Sequence, residues 1–212
     1  RHQRLFQVLL SQLLLHPAHF SKDKIFPKDV LVLFRILFKD VESGHQFYDP
    51  IYWAFDQGIL SGWDDGTYRP WNTCNRAAVV TFLWRLAGCP EPSKIAAFSD
   101  MPADTSANQD FRKAISWALE QKIVTGYSDN TFRPWADCNR AAVVTFIWRY
   151  AGKPSASTSK FTDKTGNADF DTAIAWASEN GIANGYDENT FGPWKKCNRA
   201  AVASFLYHYK ND

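Results

Sequence analysis

The sequence predicts an all-α fold built from three tandem helix-loop-helix repeats, and three observations carry that prediction. One phrase of fifteen residues occurs three times: WNTCNRAAVVTFLWR at 71–85, WADCNRAAVVTFIWR at 135–149 and WKKCNRAAVASFLYH at 194–208. Each copy sets an asparagine directly before an apolar series of helical spacing, the pattern of an N-capped helix. Each is also preceded by a shorter helical stripe and a turn dense in breakers. Recurrence about every 60 residues marks a repeat architecture, in which no unit hides its apolar faces alone and neighbours share one core.

Residues 1–37 precede the first unit and form a segment of unclear role. RHQRLFQVLLSQLLLH at 1–16 has the basic start and apolar stretch of a signal peptide, but Gln7, Ser11 and Gln12 interrupt it and no small-x-small cleavage site follows. Its stripe of Leu5, Leu9 and Leu13 beside Phe6, Leu10 and Leu14 fits an amphipathic helix. KDVLVLFRILF at 28–38 is helix-like too. The chain opens on Arg1 rather than Met, as a piece or a processed product of a longer protein would.

The units span 38–90, 98–152 and 161–210, and each opens on an aromatic-x-Asp: Phe38 and Asp40, Phe98 and Asp100, Phe161 and Asp163. A short helix follows, with its stripe on Ile51, Ala54 and Phe55, on Ile115, Ala118 and Leu119, and on Ile174, Ala177 and Ser178. Trp53, Trp117 and Trp176 share one position beside that stripe. Gly58 and Gly181 stand where a left-handed cap would end the helix; the middle unit has Lys122 there, and must accept about 1 kcal/mol of strain or end differently. The turns SGWDDGTYRP, TGYSDNTFRP and NGYDENTFGP come next, with Asn130 and Asn189 replacing Gly66 by virtue of their tolerance of positive φ. The second helix starts after Asn75, Asn139 or Asn198, and the first two stop near Gly88 and Gly152 with Pro90 and Pro154 just beyond. Position N3 is Ala78, Ala142 or Ala201, so the reciprocal capping box is missing.

Composition narrows the function. A net charge of +2 with no dense Lys/Arg run gives no case for nucleic acid or anionic membrane, and no apolar run reaches the roughly twenty residues of a spanning helix. Cys74, Cys138 and Cys197 hold one register, which suits a small apolar filler; no CxxC or nearby His completes a metal site. The acidic turns lack the ligand series and terminal Glu of an EF-hand loop. Nothing calls for a cofactor.

Arg76, Arg140 and Arg199 fall at N1 of the second helix, where the backbone dipole disfavours a cation. Two readings stay open. Each is a surface arginine or a partner of the aromatic-x-Asp carboxylate, or it joins the free N–H groups of the helix start in an anion clamp. On the second reading, its loss costs the fold little. Trp71, Trp135 and Trp194 are likewise core residues or the apolar wall of such a pocket.

NRAAVVTFLWR, joined to GWDDGTYRP and FKDV upstream, resembles the S-layer homology family. Its modules run F-x-D, a short Trp-containing helix, G-x-x-x-G, a D-G-T-F-x-P turn, and T-R-A-E opening an apolar helix. The likeness covers residues 38–210 in three copies. It implies a pseudo-threefold, bundle-like assembly whose grooves hold secondary cell-wall polysaccharide, often pyruvylated, and so tether extracellular proteins non-covalently to the wall. Carried over by position, the glycan-binding residues are Arg76, Arg140 and Arg199, Gly62, Gly126 and Gly185, and Asp40, Asp100 and Asp163, with Trp71, Trp135 and Trp194 as candidate walls. T-R-A-E has become NRAA, which removes a carboxylate beside each arginine. Gly192 replaces the arginine found at Arg69 and Arg133, so the grooves are expected to be unequal, with Arg199 mattering least. The rival readings are a structural or protein-interaction domain and, more remotely, a glycoside hydrolase using turn carboxylates such as Asp64 and Asp65. A repeated site argues for a non-catalytic module, although a larger protein could carry an enzyme elsewhere.

Overall fold

The computed structural model describes residues 38–211. Six α-helices occur among them: α1 (Tyr48–Asp56), α2 (Arg76–Leu86), α3 (Gln109–Glu120), α4 (Arg140–Tyr150), α5 (Ala168–Glu179) and α6 (Arg199–Asn211). The only extended pairing among the described residues is isolated bridges, so the all-α expectation holds. The readings made for residues 1–37 lie outside the described residues.

Local sequence sets the helix starts. The Oδ1 atoms of Asn75, Asn139 and Asn198 accept from the backbone N–H of Ala78, Ala142 and Ala201 at 2.8 Å, satisfying one orphan donor per helix. At the ends of α1 and α5, Gly58 and Gly181 take φ values of 68° and 67°, and Lys122 takes 56° in the same left-handed region. The middle unit therefore keeps the geometry and bears the strain, about 1–2 kcal/mol. The turns differ more than their sequences suggest. Gly66 and Asn130 are left-handed and Asn189 is not. Asp187 accepts from both Asn189 N–H and Thr190 N–H, whereas Asp65 and Asp129 hold the N–H and hydroxyl of one threonine each, so the third turn winds differently.

Packing links the units in a cycle. Helix α2 lies on α3, α4 on α5, and α6 returns to α1, so each second helix covers the first helix of the next unit. The cysteine stretches close the same cycle through backbone bonds. Cys74 N–H donates to Cys197 O at 2.9 Å, Cys138 N–H to Cys74 O at 2.9 Å, and Cys197 N–H to Cys138 O at 2.8 Å. No unit keeps its two helices to itself, and the units share one core that includes Ile51, Leu83, Ile115, Ile147 and Leu206.

Those three cysteines are buried and unpaired, as a filler role requires, while Cys89 is exposed. Burial pushes the Cys74 and Cys138 thiols up to about 12 and raises Cys197 as well. Deprotonation is therefore suppressed, and thiol reactivity with it. Alkylation of the native protein is expected to modify Cys89 alone, and all four thiols after denaturation, as read by intact mass. Rapid native labelling of Cys74, Cys138 or Cys197 would contradict the packing.

Candidate glycan-binding site

The repeated arginines lead away from their own units. Arg76, Arg140 and Arg199 are no more than 9% exposed, so the surface reading is wrong. Each extends onto the turn of the next unit, where its Nε donates to a backbone carbonyl: Phe132 O at 2.9 Å, Phe191 O at 3.1 Å and Tyr68 O at 3.0 Å respectively. Arg140 and Arg199 add a second bond, from Nη2 to Asn184 O and Ser61 O at 2.7 and 2.9 Å. The cyclic packing thus makes three pockets. The first turn receives Arg199, the second Arg76 and the third Arg140.

The helix-start N–H groups do not complete a clamp. Arg76 and Ala77 donate to Ala136 O and Pro134 O, Arg140 and Ala141 to Lys195 O and Pro193 O, and Arg199 and Ala200 to Asn72 O and Pro70 O. The first two donors of each helix are thus spent on holding the next unit, and the third on the asparagine cap of its own unit. That half of the anion-clamp expectation is overturned. The aspartate alternative fails too: Asp40 accepts from Tyr68 N–H and Arg69 N–H, Asp100 from Phe132 and Arg133, and Asp163 from Phe191 and Gly192, all within 3.0 Å. These carboxylates brace the turns. Gly62, Gly126 and Gly185 line up for a steric reason, since a Cβ there would meet the Cε1 of Phe38, Phe98 or Phe161 at 2.3–2.5 Å.

What remains at each arginine is aromatic. The guanidinium carbon of Arg199 lies 4.3 Å from the Trp63 ring centre, that of Arg76 5.2 Å from Tyr127, and that of Arg140 4.9 Å from Tyr186. Tyr68, Phe132 and Phe191 close the inner side at 4.4–4.7 Å. Trp63, Tyr127 and Tyr186 are exposed, so each ring has one end in solvent above a buried cation. A second cation flanks the same ring from outside: Arg69 at 4.5 Å, Arg133 at 3.9 Å and Lys195 at 3.9 Å. Arg76, Arg140 and Arg199 form no ion pair among the described residues. Burial pushes the Arg140 and Arg199 guanidinium pKa down, yet a guanidinium stays charged at any ordinary pH.

Trp71, Trp135 and Trp194 are more than half exposed, which rules out the core reading. Each leans on a phenylalanine near the start of its own unit's first helix, Phe47, Phe111 or Phe170, at ring separations of 5.3–5.9 Å. Trp63, Tyr127 and Tyr186 were the residues that sequence reasoning missed. Their signal was an aromatic directly after the turn glycine, in one register, in all three units.

A profile of the S-layer homology domain matches residues 37–80, 98–144 and 160–203, well over half of the chain. The chain belongs to the S-layer homology family. Among curated relatives of this S-layer homology chain, cell surface glycoprotein 1 of Acetivibrio thermocellus is 29% identical over 162 residues, covering 71% of the chain and 7% of the relative. The cellulosome-anchoring protein of the same organism is 28% identical over 132 residues, 60% of the chain and 29% of the relative. The middle cell wall protein of Brevibacillus brevis is 30% identical over 95 residues, 45% of the chain and 9% of the relative. The chain thus spans less than a third of the length of each of these relatives. No helix among the described residues is long and apolar enough to cross a membrane.

Proposed function

We propose that the S-layer homology chain is a non-catalytic module that anchors a surface protein to the cell wall by binding an anionic secondary wall polysaccharide. Anchoring at the wall follows from the family and from relatives named as cell-surface, cell-wall and anchoring proteins. The repeats proposed at 38–90, 98–152 and 161–210 each lend an arginine to the neighbour's pocket. One observation carries the anionic ligand: three buried guanidinium groups have carbonyls and ring faces for company but, among the described residues, no carboxylate in ion-pair range. A buried cation without a counter-charge is costly, and an anion delivered by the ligand relieves that cost. Ala78, Ala142 and Ala201, which supply no carboxylate beside the arginine, leave that role to the ligand. The exposed tryptophans and turn aromatics offer apolar faces for sugar rings. In this reading Asp40, Asp100, Asp163 and the turn glycines shape the pockets rather than touch the glycan. The turn carboxylates Asp65, Asp129 and Asp187 are engaged by threonine or backbone donors, which speaks against hydrolytic use.

The test is calorimetric titration of the purified chain with an acidic wall polysaccharide, before and after chemical removal of its pyruvyl or phosphoryl groups. The intact glycan is expected to bind, with affinity falling as salt rises, and the stripped glycan to bind at least about tenfold more weakly. Equal binding of both would mean that a neutral glycan is recognised. Binding of neither would favour the protein-interaction reading.

A further inference from the structure

The three pockets differ in where their outer cation comes from. Arg69 and Arg133 supply it from left-handed backbone, at φ 58° and 57°, a conformation that costs a non-glycine residue about 1–2 kcal/mol. Strain of this kind clusters at functional sites. Gly192 holds the equivalent place at φ 72° without the cost and without a cation. A Cβ at 192 would lie 2.7 Å from Tyr186 Cε2 and 3.2 Å from Lys195 Cδ. The space an arginine stem would need is therefore occupied by a ring and a lysine. Lys195 Nζ sits 3.9 Å from the Tyr186 ring centre, the distance at which the Arg133 guanidinium meets Tyr127. The matching residues of the other units, Asn72 and Ala136, carry no charge.

The replacement is more than a change of address. Arg69 and Arg133 are tied to Asp65 and Asp129 at 2.9 and 3.0 Å, whereas Lys195 forms no ion pair among the described residues. Lys164 stands where the other units have Val41 and Met101, adding a further cation to this side of the third unit. Lys164, Thr190, Gly192, Trp194 and Lys195 help line a cavity of about 300 Å³ that adjoins the Arg140–Tyr186 pocket at Lys195. Asp163 borders it as well, but its carboxylate is already bonded to two backbone N–H groups.

We infer that Lys195 is the specificity-determining cation of the third pocket, and that it makes this pocket the tightest of the three for an anionic sugar substituent. The inference rests on the glycan-binding reading above. An ammonium on a flexible stem is a point charge that needs no fixed approach, unlike the planar fork of arginine. Asp187 feels its charge, but no carboxylate among the described residues lies within ion-pair distance of it, so the ammonium is less firmly held than the paired Arg69 and Arg133. The exposed Trp194 beside it provides the platform for the sugar that bears the charge.

The chain contains nine tryptophans, and their indole N–H signals in the ¹⁵N-labelled full chain report the pockets separately once assigned by single Trp→Phe variants. The probe is a monosaccharide methyl glycoside that bears a pyruvate ketal. Trp194 is expected to titrate at the lowest concentration, ahead of Trp71 and Trp135. Lys195→Met is expected to raise the Trp194 midpoint about tenfold or more and to leave Trp71 and Trp135 unmoved. Lys195→Arg should recover most of the loss. Lys195 is exposed, so neither variant threatens the fold. An unchanged Trp194 midpoint in Lys195→Met, or Trp194 titrating last in the wild type, would overturn the inference while leaving the glycan reading intact. If no indole moves in the wild type, the glycan reading falls and this inference falls with it.

Discussion

Arg140→Ala is expected to destabilise the protein by about 3 kcal/mol, a drop of roughly 6–12 °C in melting temperature for a chain of this size. The side chain donates to Phe191 O and to Asn184 O, and loss of a charged donor typically costs about 1.5–3 kcal/mol where the acceptor stays buried. It also fills the space between Tyr186, Phe191 and Phe205, so truncation leaves a cavity on top of the lost bonds. Two such bonds come to about 3–6 kcal/mol, and removing an unpaired buried charge offsets part of this, which keeps the figure near the lower end. Arg199→Ala should match it, because Arg199 makes the same two kinds of bond, while Tyr68 Oη donates to its backbone carbonyl at 3.0 Å. Among the described residues Arg76 donates from its side chain to a single carbonyl, so Arg76→Ala should be the mildest. Urea unfolding followed by tryptophan fluorescence gives the order. A melting temperature for Arg140→Ala within about 2 °C of wild type would show that these bonds carry little weight.

This reverses two expectations drawn from the sequence. Arginine at N1 looked dispensable for the fold because its position opposes the helix dipole. Its side chain, however, leaves that environment and engages carbonyls of another unit, so the dipole argument concerns the wrong atoms. Arg199 also looked least important, because Gly192 shares its unit. The cyclic packing seats Arg199 on the turn that carries Arg69 and seats Arg140 on the turn that carries Gly192. The pocket without the second arginine is therefore Arg140's. Alanine variants at these arginines mix folding with binding, so the outer residues, Lys195 above all, are the cleaner probes of ligand contact.

The parts of the fold that sequence conveyed were those set within a few residues. Asn75 reveals its cap because the N–H it accepts is three positions away, and Lys122 reveals its strain because its glycine counterparts stand in register. Partners of the arginines were hidden for the opposite reason. Arg199 bonds to a carbonyl 131 positions away, and nothing local in NRAA distinguishes that from an exposed side chain. Trp71 and its counterparts posed the same problem: an aromatic of fixed register fits a core and a solvent-facing wall equally well until the packing is known. Repetition showed that Gly62, Gly126 and Gly185 matter, but only the fold shows that a phenylalanine ring is what excludes a side chain there.

That exclusion makes the second large effect predictable, and it differs between units. At Gly126 the three atoms nearest a new Cβ all belong to the Phe98 ring, at 2.3–3.1 Å. At Gly185 the Phe161 ring lies at 2.5 Å, and the carbonyl oxygens of Asp187 and Thr190 both lie at 2.6 Å. A ring can rotate or be trimmed, whereas backbone carbonyls move only if the turn moves. The turn in question carries Asn184 O, which accepts from Arg140, so its displacement also loosens the third pocket. Overpacking of this kind costs about 1–3 kcal/mol, and Gly185→Ala is expected at the upper end or above it. Gly126→Ala should cost less, and adding Phe98→Leu should recover part of the loss. Adding Phe161→Leu to Gly185→Ala should recover little, because the carbonyl contacts remain. Double-mutant cycles from urea unfolding separate the two cases: a favourable coupling near 1 kcal/mol or more for the 98/126 pair and a smaller one for the 161/185 pair. Equal coupling in both cycles would mean that the rings alone decide which side chain these positions admit.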